Sequence, residues 1–211
     1  MSRVIGALRL DVLFTWVDAS FATHMDMRGH TGGVISFGTG VVSHKSAKQK
    51  INTKSSTETE LVGASEYIPW TLWTQRFMRK QGYPIKVSIF FQDNKSAIEM
   101  EMNGQKSCSD RSRHIHIKYF FVKDKIKQQN IIIEHCGTDD MIADYFTKPL
   151  QGSLFIKMRA ILMGLFHSTI EERVGENLIL SNRFLTETIA EYPMTKRDQN
   201  TNGNEEKKEE E

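Results

Sequence analysis

Residues 10–48 read LDVLFTWVDASFATHMDMRGHTGGVISFGTGVVSHKSAK, and this stretch decides the fold. The run at 10–18 is mostly apolar, β-branched and aromatic, which is typical of a strand. A second strand falls within the glycine-bounded segment at 29–40, and a glycine-rich turn leads from it into a third strand at 41–48. The stretch therefore predicts an antiparallel meander of three strands.

Helical and strand patterns alternate along the rest of the chain. Apolar spacing and turn residues predict helices at 57–80, 94–102, 115–127, 141–146 and 153–164, strands at 85–92 and 131–135, and a polar connector at 104–113. Pro69 falls inside the first helix and predicts a kink or break near Tyr67 and Ile68. The order indicates an α/β (mixed) fold, with a five-stranded mixed sheet and helices on both faces.

Composition divides the chain into a basic body and an acidic end. Residues 1–165 hold 22 Lys and Arg against 15 Asp and Glu, whereas residues 166–211 hold 6 against 11. The segments that we expect are a lead-in at 1–10, one domain at 11–165, an extension at 166–194 whose apolar spacing permits a helix, and a disordered acidic tail at 195–211. The basic body suits a phosphate-backbone partner, although an ordinary solvated surface gives the same net charge.

Cysteine content and apolar runs indicate the compartment. The two cysteines, Cys108 and Cys136, form neither a CxxC pair nor a zinc-binding pattern, so we expect reduced structural thiols. No apolar run approaches the roughly 20 residues that a membrane-spanning helix needs, and no secretory signal is recognisable. We therefore expect a monomeric intracellular protein of the cytoplasm or nucleus, with no membrane partner.

Four acidic residues stand where a metal-binding site needs carboxylates. They are Asp18 and Asp93, which end apolar strand patterns, Glu60 in the first turns of the helix at 57–80, and Asp144 in the segment at 141–150. Open α/β sheets place their sites at the carboxyl edge, so we expect the four side chains to gather there. Oxygen ligands suit hard divalent cations, and a pair of such ions clamps the attacking and leaving oxygens in phosphodiester cleavage.

These acids also have purely structural explanations. Asp18 in Asp-Ala-Ser suits a turn at a strand end, and either Asp93 or Asn94 can cap the helix that follows. Glu60 has a rival in Glu58, because Ser-x-x-Glu and Thr-x-x-Glu patterns overlap at 55–60 and both are capping boxes.

Six short blocks surround these acids in sequence order. They read VDAS (17–20), GHTGG (29–33), KSSTETE (54–60), QDNKSAI (92–98), RHIHIKYFF (113–121) and ADYFTKPL (143–150). Each block alone is a weak signal, but together they closely resemble the ribonuclease H domain that closes the polyprotein of copia-type retrotransposons. Nothing before Thr15 resembles the reverse transcriptase that precedes this domain in such polyproteins, so the chain looks like a detached terminal piece.

The resemblance implies a ribonuclease H-like fold and a metal-dependent endoribonuclease that hydrolyses the RNA strand of RNA–DNA hybrids. The catalytic residues and metal ligands that it implies are Asp18, Glu60, Asp93 and Asp144. It favours Glu60 over Glu58, and it implies two Mg²⁺ ions for which Mn²⁺ can substitute. It assigns no catalytic histidine, because His135 does not align with the loop that carries one in other ribonucleases H.

A basic segment at 106–127 is the predicted contact for the hybrid, although an ordinary solvated helix face explains its charges equally well. The residues expected to bind nucleic acid are Asn94, Lys106, Arg111, Arg113, His114 and Lys118. The reverse transcriptase of the parent element is a further expected partner.

A second function, of another class, stays open beside the first. The chain can be a truncated or domesticated remnant that folds and binds nucleic acid without significant catalysis. The four intact acids favour the active enzyme, and the absence of a recognisable polymerase favours the remnant. An integrase-type transposase is disfavoured because the blocks are those of ribonuclease H.

Overall fold

A computed structural model describes residues 11–103 and 131–165, together with Asp124 and Ile126. The predictions for the lead-in, the connector, the extension and the acidic tail lie outside these residues. The helix predicted at 115–127 also lies mostly outside them, although Asp124 and Ile126 are helical.

Five strands form one mixed sheet in the order β3-β2-β1-β4-β5. The strands are β1 (Val12–Ser20), β2 (His30–Ser36), β3 (Val41–Lys48), β4 (Val87–Gln92) and β5 (Ile131–His135). Strands β1, β2 and β3 form the antiparallel meander, and β1, β4 and β5 run parallel. The predicted five-stranded mixed sheet is confirmed, with small differences at the strand ends.

The helices are α1 (Ser56–Lys80), α2 (Lys95–Asn103) and α3 (Gly152–Leu162). Two short 3₁₀ helices, Thr138–Asp140 and Ile142–Phe146, occupy the region where the pattern predicts one helix from 141 to 146. None of the helices in the described part of the chain is long and apolar enough to cross a membrane.

The sequence predicts a kink or break near Tyr67 and Ile68, and the break is absent because α1 continues through Pro69. Pro69 lies on the exposed side of the helix, whereas Tyr67 and Ile68 are buried against the sheet. Proline removes one backbone hydrogen bond from a helix. Packing of an apolar face supplies most of the stability of a helix in a protein, and here it outweighs that loss.

Helices cover both faces of the sheet, as predicted. Successive residues of β1 point to opposite faces and so divide its side chains between two cores. The core on the α1 side includes Leu13, Val17, Ile35, Tyr67, Ile68 and Phe90. The core on the α3 side includes Phe14, Trp16, Val34, Phe91, Met141 and Met158. The sheet is therefore rigidly held on both sides up to the edge where β1 and β4 end.

Replacing Gly33 with alanine should destabilise the fold by about 1–3 kcal/mol, because overpacking a buried site forces neighbours to move. A Cβ atom at Gly33 would lie 2.6 Å from Cδ2 of Tyr67, whose ring is fully buried between α1 and β2. Gly137→Ala is the matched control, since its Cβ meets no atom within 4 Å and its φ of −66° suits alanine. Chemical denaturation measures both variants, and equal stabilities would contradict this packing account.

Candidate active site

The carboxyl ends of two parallel strands bring the first two acids together. Asp18 lies near the end of β1, and Asp93 directly follows β4. Because β1 and β4 are adjacent and parallel, their ends meet at the same edge of the sheet. Asp18 is buried and Asp93 is half-buried, so neither carboxylate is freely solvated.

The two glutamates at the start of α1, Glu58 and Glu60, have different roles. Ser55 caps the helix by accepting the Glu58 backbone N–H at 3.2 Å, and Glu58 Oε2 accepts the Lys54 backbone N–H at 2.7 Å. Glu60 Oε1 instead accepts the Ala19 backbone N–H at 3.2 Å, which directs its carboxylate to the end of β1. Glu58 therefore belongs to the cap, and Glu60 is the glutamate that faces the other acids.

Three of the four predicted acids form a compact group. Carboxylate oxygens of Asp18, Glu60 and Asp93 all lie within 4.8 Å of one another. The group opens into a cavity of about 420 Å³. The residues that line the cavity are Asp18, Ala19, Glu60, Asp93, Asn94, Lys95, Ser96 and Lys148. The three carboxylates are thus accessible to a ligand while their backbones are held by the sheet and by α1.

Asp144 is not part of this compact group, but an ion pair with Lys148 links it to Asp18. It is buried in the second 3₁₀ helix, and its Oδ1 accepts a hydrogen bond from Lys148 Nζ at 2.8 Å. The same ammonium lies 3.5 Å from Asp18 Oδ1. Thr147 Oγ1 donates a hydrogen bond to Asp18 Oδ2. Asp18 therefore connects the triad with the segment that carries Asp144.

Burial makes Glu60 the most perturbed acid of the site. Desolvation, followed by the charges of Asp18 and Asp93, raises the pKa of the Glu60 carboxyl group to about 9. At neutral pH and without a bound cation, the Glu60 side chain is therefore predominantly protonated. A cation near the triad would favour the ionised form of this group.

The other acids show smaller perturbations with similar causes. Burial and the nearby charge of Asp18 raise the pKa of Asp93. Burial also raises the pKa of Asp144 to about 6, although the hydrogen bond from Lys148 opposes this shift. Burial disfavours the charged form of Lys148, but its contacts with Asp144 and Asp18 outweigh burial and raise its pKa. The site is thus a set of mutually repelling carboxylates with one ammonium beside them.

Similar sequences occur in the polyproteins of mobile elements. The Retrovirus-related Pol polyprotein from transposon TNT 1-94 of Nicotiana tabacum is 28% identical over 145 residues, which are 68% of this chain and 11% of the relative. The one from transposon RE1 of Arabidopsis thaliana is 28% identical over 145 residues, covering 68% of this chain and 10% of the relative. The chain is similar in sequence to one segment of these Pol polyproteins. It spans about a tenth of the length of these relatives. No protein-family model matches the chain.

Solved ribonuclease H structures also resemble the chain, at low sequence identity. The N-terminal RNase H domain of rv2228c from Mycobacterium tuberculosis aligns with a TM-score of 0.46 and 12% identity, covering 69% of this chain and 97% of that one. LC11-RNase H1 in complex with an RNA/DNA hybrid aligns with a TM-score of 0.45 and 14% identity, covering 64% and 92%. The chain itself has the five-stranded mixed sheet described above.

The triad of Asp18, Glu60 and Asp93 fits a hard divalent cation. Carboxylate oxygens are the preferred ligands of Mg²⁺, and ligands on opposite sides of one such ion lie about 4.2 Å apart. The oxygens of Asp18, Glu60 and Asp93 already lie within 4.8 Å of one another, so only a small closing movement is needed. The side of the site beside Asp144 is different, because Lys148 places a positive charge there.

Of the residues predicted to bind nucleic acid, Asn94 lies in the described part of the chain. Asn94 lines the cavity, and its Oδ1 accepts the Ala97 backbone N–H at 3.1 Å, so it is the residue that caps α2. Asp93 is therefore left to the site. The other predicted nucleic-acid contacts, Lys106, Arg111, Arg113, His114 and Lys118, lie outside the described residues, as does Cys108. Cys136 is a buried free thiol.

Sequence reasoning missed Thr147 and Lys148 as members of the site. Both stand inside the block at 143–150, where no role was assigned to them. The spacing of Asp144 and Lys148 offered a signal, because an acid and a base four residues apart can pair on a helical turn. The contact of each residue with Asp18 is a tertiary feature that no local pattern indicates.

Proposed function

We propose that this chain is a divalent-metal-dependent endoribonuclease that hydrolyses the RNA strand of RNA–DNA hybrids. The observation that carries the proposal is the triad of Asp18, Glu60 and Asp93, gathered within 4.8 Å at an open cavity. Burying such a group is unfavourable unless a cation offsets the repulsion. Homology with retrotransposon Pol polyproteins supports a nuclease of the ribonuclease H kind.

Each residue has a task in this proposal. Asp18, Glu60 and Asp93 hold the first divalent ion, and Asp144 completes the ligands for a second. Two such ions, when bound, supply the activation of water and the stabilisation of the leaving oxygen in phosphodiester hydrolysis. The hydrogen bonds from Ala19 to Glu60 and from Thr147 to Asp18 fix the two carboxylates before substrate arrives.

Residues on the α2 side of the cavity suit a nucleic-acid backbone. Lys95 and Ser96 begin α2 and line the cavity, so an ammonium, a hydroxyl group and the amino end of a helix face the same space. Helix amino ends and lysine side chains both favour phosphate. We place the scissile phosphate of the hybrid between this helix and the triad. In a longer polyprotein, a reverse transcriptase would help to deliver the hybrid.

The purified chain should cleave the RNA strand of a labelled RNA–DNA hybrid in the presence of Mg²⁺ or Mn²⁺. Cleavage should stop with excess EDTA, because the carboxylates alone provide no Lewis acid to polarise the phosphate. A DNA duplex of the same sequence is the substrate control, since the proposal requires recognition of the 2′-hydroxyl group. Gel analysis of the products measures both reactions. Binding of the hybrid without cleavage would instead support a folded remnant, and equal cleavage of the DNA duplex would refute the proposed substrate.

A further inference from the structure

Lys148 lies between two of the site carboxylates, and no role is assigned to it by the proposed function. Its Nζ atom is 2.8 Å from Asp144 Oδ1 and 3.5 Å from Asp18 Oδ1. The lysine side chain is 38% exposed, whereas those of Asp18 and Asp144 are almost completely buried. The Lys148 ammonium group therefore contacts two buried carboxylates from the wall of the cavity. Because its side chain is partly exposed, a cation from solvent can replace it there.

The position of Lys148 divides the site into two unequal halves. Among the described ion pairs, Lys148 contacts Asp18 of the triad but neither Glu60 nor Asp93. On the other side, the oxygens of Asp18 and Asp144 that an ion would bridge already contact Lys148. An ammonium and a divalent cation are attracted to the same oxygens and repel each other at such short range. The Lys148 ammonium and a divalent cation therefore cannot both lie between Asp18 and Asp144.

We propose that Lys148 is a positioning residue that acts as a built-in cation between Asp18 and Asp144. The triad takes the first divalent ion, and a second ion enters only when the Lys148 side chain leaves this bridge. The proposal rests on the proposed function in one respect, which is that the site binds divalent cations.

The backbone around Lys148 allows the side chain to leave without unfolding the segment. The Lys148 backbone N–H donates to the Asp144 carbonyl oxygen at 2.9 Å, and Pro149 restricts the chain that follows. The displacement therefore needs only rotations within a long flexible side chain that already borders the cavity. Once displaced, the ammonium still borders the same cavity.

Titration of the metal-free chain with Mn²⁺, followed by calorimetry, tests this role. Wild-type protein should bind one ion more tightly than the second. In Lys148→Met the second ion should bind at least about 10-fold more tightly, which is within the range for changes beside metal ligands. Lys148→Arg retains the positive charge and should resemble the wild type.

Lys157→Met is the matched control. Lys157 also forms an ion pair through Nζ, at 2.9 Å from Asp140 Oδ1, and it is more deeply buried than Lys148. It contacts none of the four site acids among its described hydrogen bonds and ion pairs. The K157M variant can lose stability, but its affinities for the first and second Mn²⁺ should stay unchanged.

Thermal unfolding gives an independent measurement that needs no substrate. Removing one partner of a buried ion pair leaves the other charge uncompensated. The melting temperature of K148M should therefore fall in EDTA and recover in Mn²⁺, with a larger Mn²⁺-induced shift than that of the wild type. If K148M fails to fold, Lys148→Gln keeps a donor for Asp144 and should show the same tighter second site.

Unchanged or weaker second-ion binding in the neutral variants would overturn the proposal. So would a Mn²⁺-induced shift in melting temperature no larger than that of the wild type. Absence of Mn²⁺ binding in every variant, wild type included, would refute the metal site itself and the proposed function with it. Loss of the Lys148 role alone would leave the cleavage of hybrid by the wild type intact, so the two failures are distinguishable.

Discussion

Asp18→Asn should lower the rate of hybrid cleavage at least about 100-fold, because its carboxylate is shared by both halves of the metal site. The substitution removes one negative charge but keeps an oxygen that can accept the Thr147 hydroxyl hydrogen bond. It also removes a like charge from beside Glu60 and Asp93. We therefore expect the metal-free fold to be retained, with equal or slightly higher stability.

Asp26→Asn is the control for Asp18→Asn. Asp26 is an exposed aspartate that forms ion pairs with Lys48 and Arg28 at 2.9 and 3.5 Å. Exposed pairs contribute little to stability, so this variant should keep both its fold and its cleavage. Rates from product gels and melting temperatures in EDTA test both variants. A D18N protein that cleaves at the wild-type rate would remove Asp18 from the site, and one that unfolds would show a structural role.

Glu60→Gln should raise the free energy of unfolding of the metal-free protein, by an amount that grows with pH. The folded state keeps Glu60 protonated up to a pKa of about 9, which burial and the charges of Asp18 and Asp93 raise from the usual value of 4.5. The folded protein therefore holds more protons than the unfolded chain between these values, and its stability falls as pH rises. Glutamine does not ionise, so E60Q lacks this pH dependence. The difference in free energy of unfolding between E60Q and the wild type should therefore grow by at most about 1.4 kcal/mol per pH unit.

Glu58→Gln is the matched control for this measurement. Glu58 and Glu60 are two residues apart on α1 and are equally buried, but Glu58 accepts the Lys54 backbone N–H as part of the helix cap. Glutamine can also take part in a capping box, so E58Q should stay close to the wild type in stability where E60Q is more stable. Denaturant titrations between about pH 5 and pH 8 compare the three proteins. A lower stability of E60Q at the high end would contradict the burial account of Glu60.

The sheet and the location of the acids could be predicted because their signals are local. Apolar β-branched runs that end in aspartate identify β1 and β4, and parallel pairing then brings Asp18 and Asp93 to one edge. The overlapping capping patterns at 55–60 were less decisive, since either glutamate could fill either role. The hydrogen bond of Glu58 to Lys54 distinguishes them, and only tertiary structure reveals that bond.

Other features depend on packing that a local pattern does not contain. The continuity of α1 through Pro69 follows from the buried face that the helix presents to the sheet. The segment expected to be one helix at 141–146 forms the 3₁₀ helix Ile142–Phe146, and another 3₁₀ helix, Thr138–Asp140, precedes it. Lys148 pairs with Asp144, four residues away, and with Asp18, which lies in the distant first strand. Only the first of these two contacts is visible in the local sequence.

The order of strands in the sheet has a consequence for how the molecule folds. The β1–β2–β3 meander pairs strands that are neighbours in sequence. In contrast, β4 pairs with β1 although β2, β3 and α1 lie between them in the sequence. Such non-local pairings form more slowly than hairpins, because a long loop must close first. Asp18 therefore acquires Asp93 as a neighbour only when β4 docks. A chain still emerging or partly folded therefore has no complete triad, and the proposed metal site forms only once β4 has paired with β1.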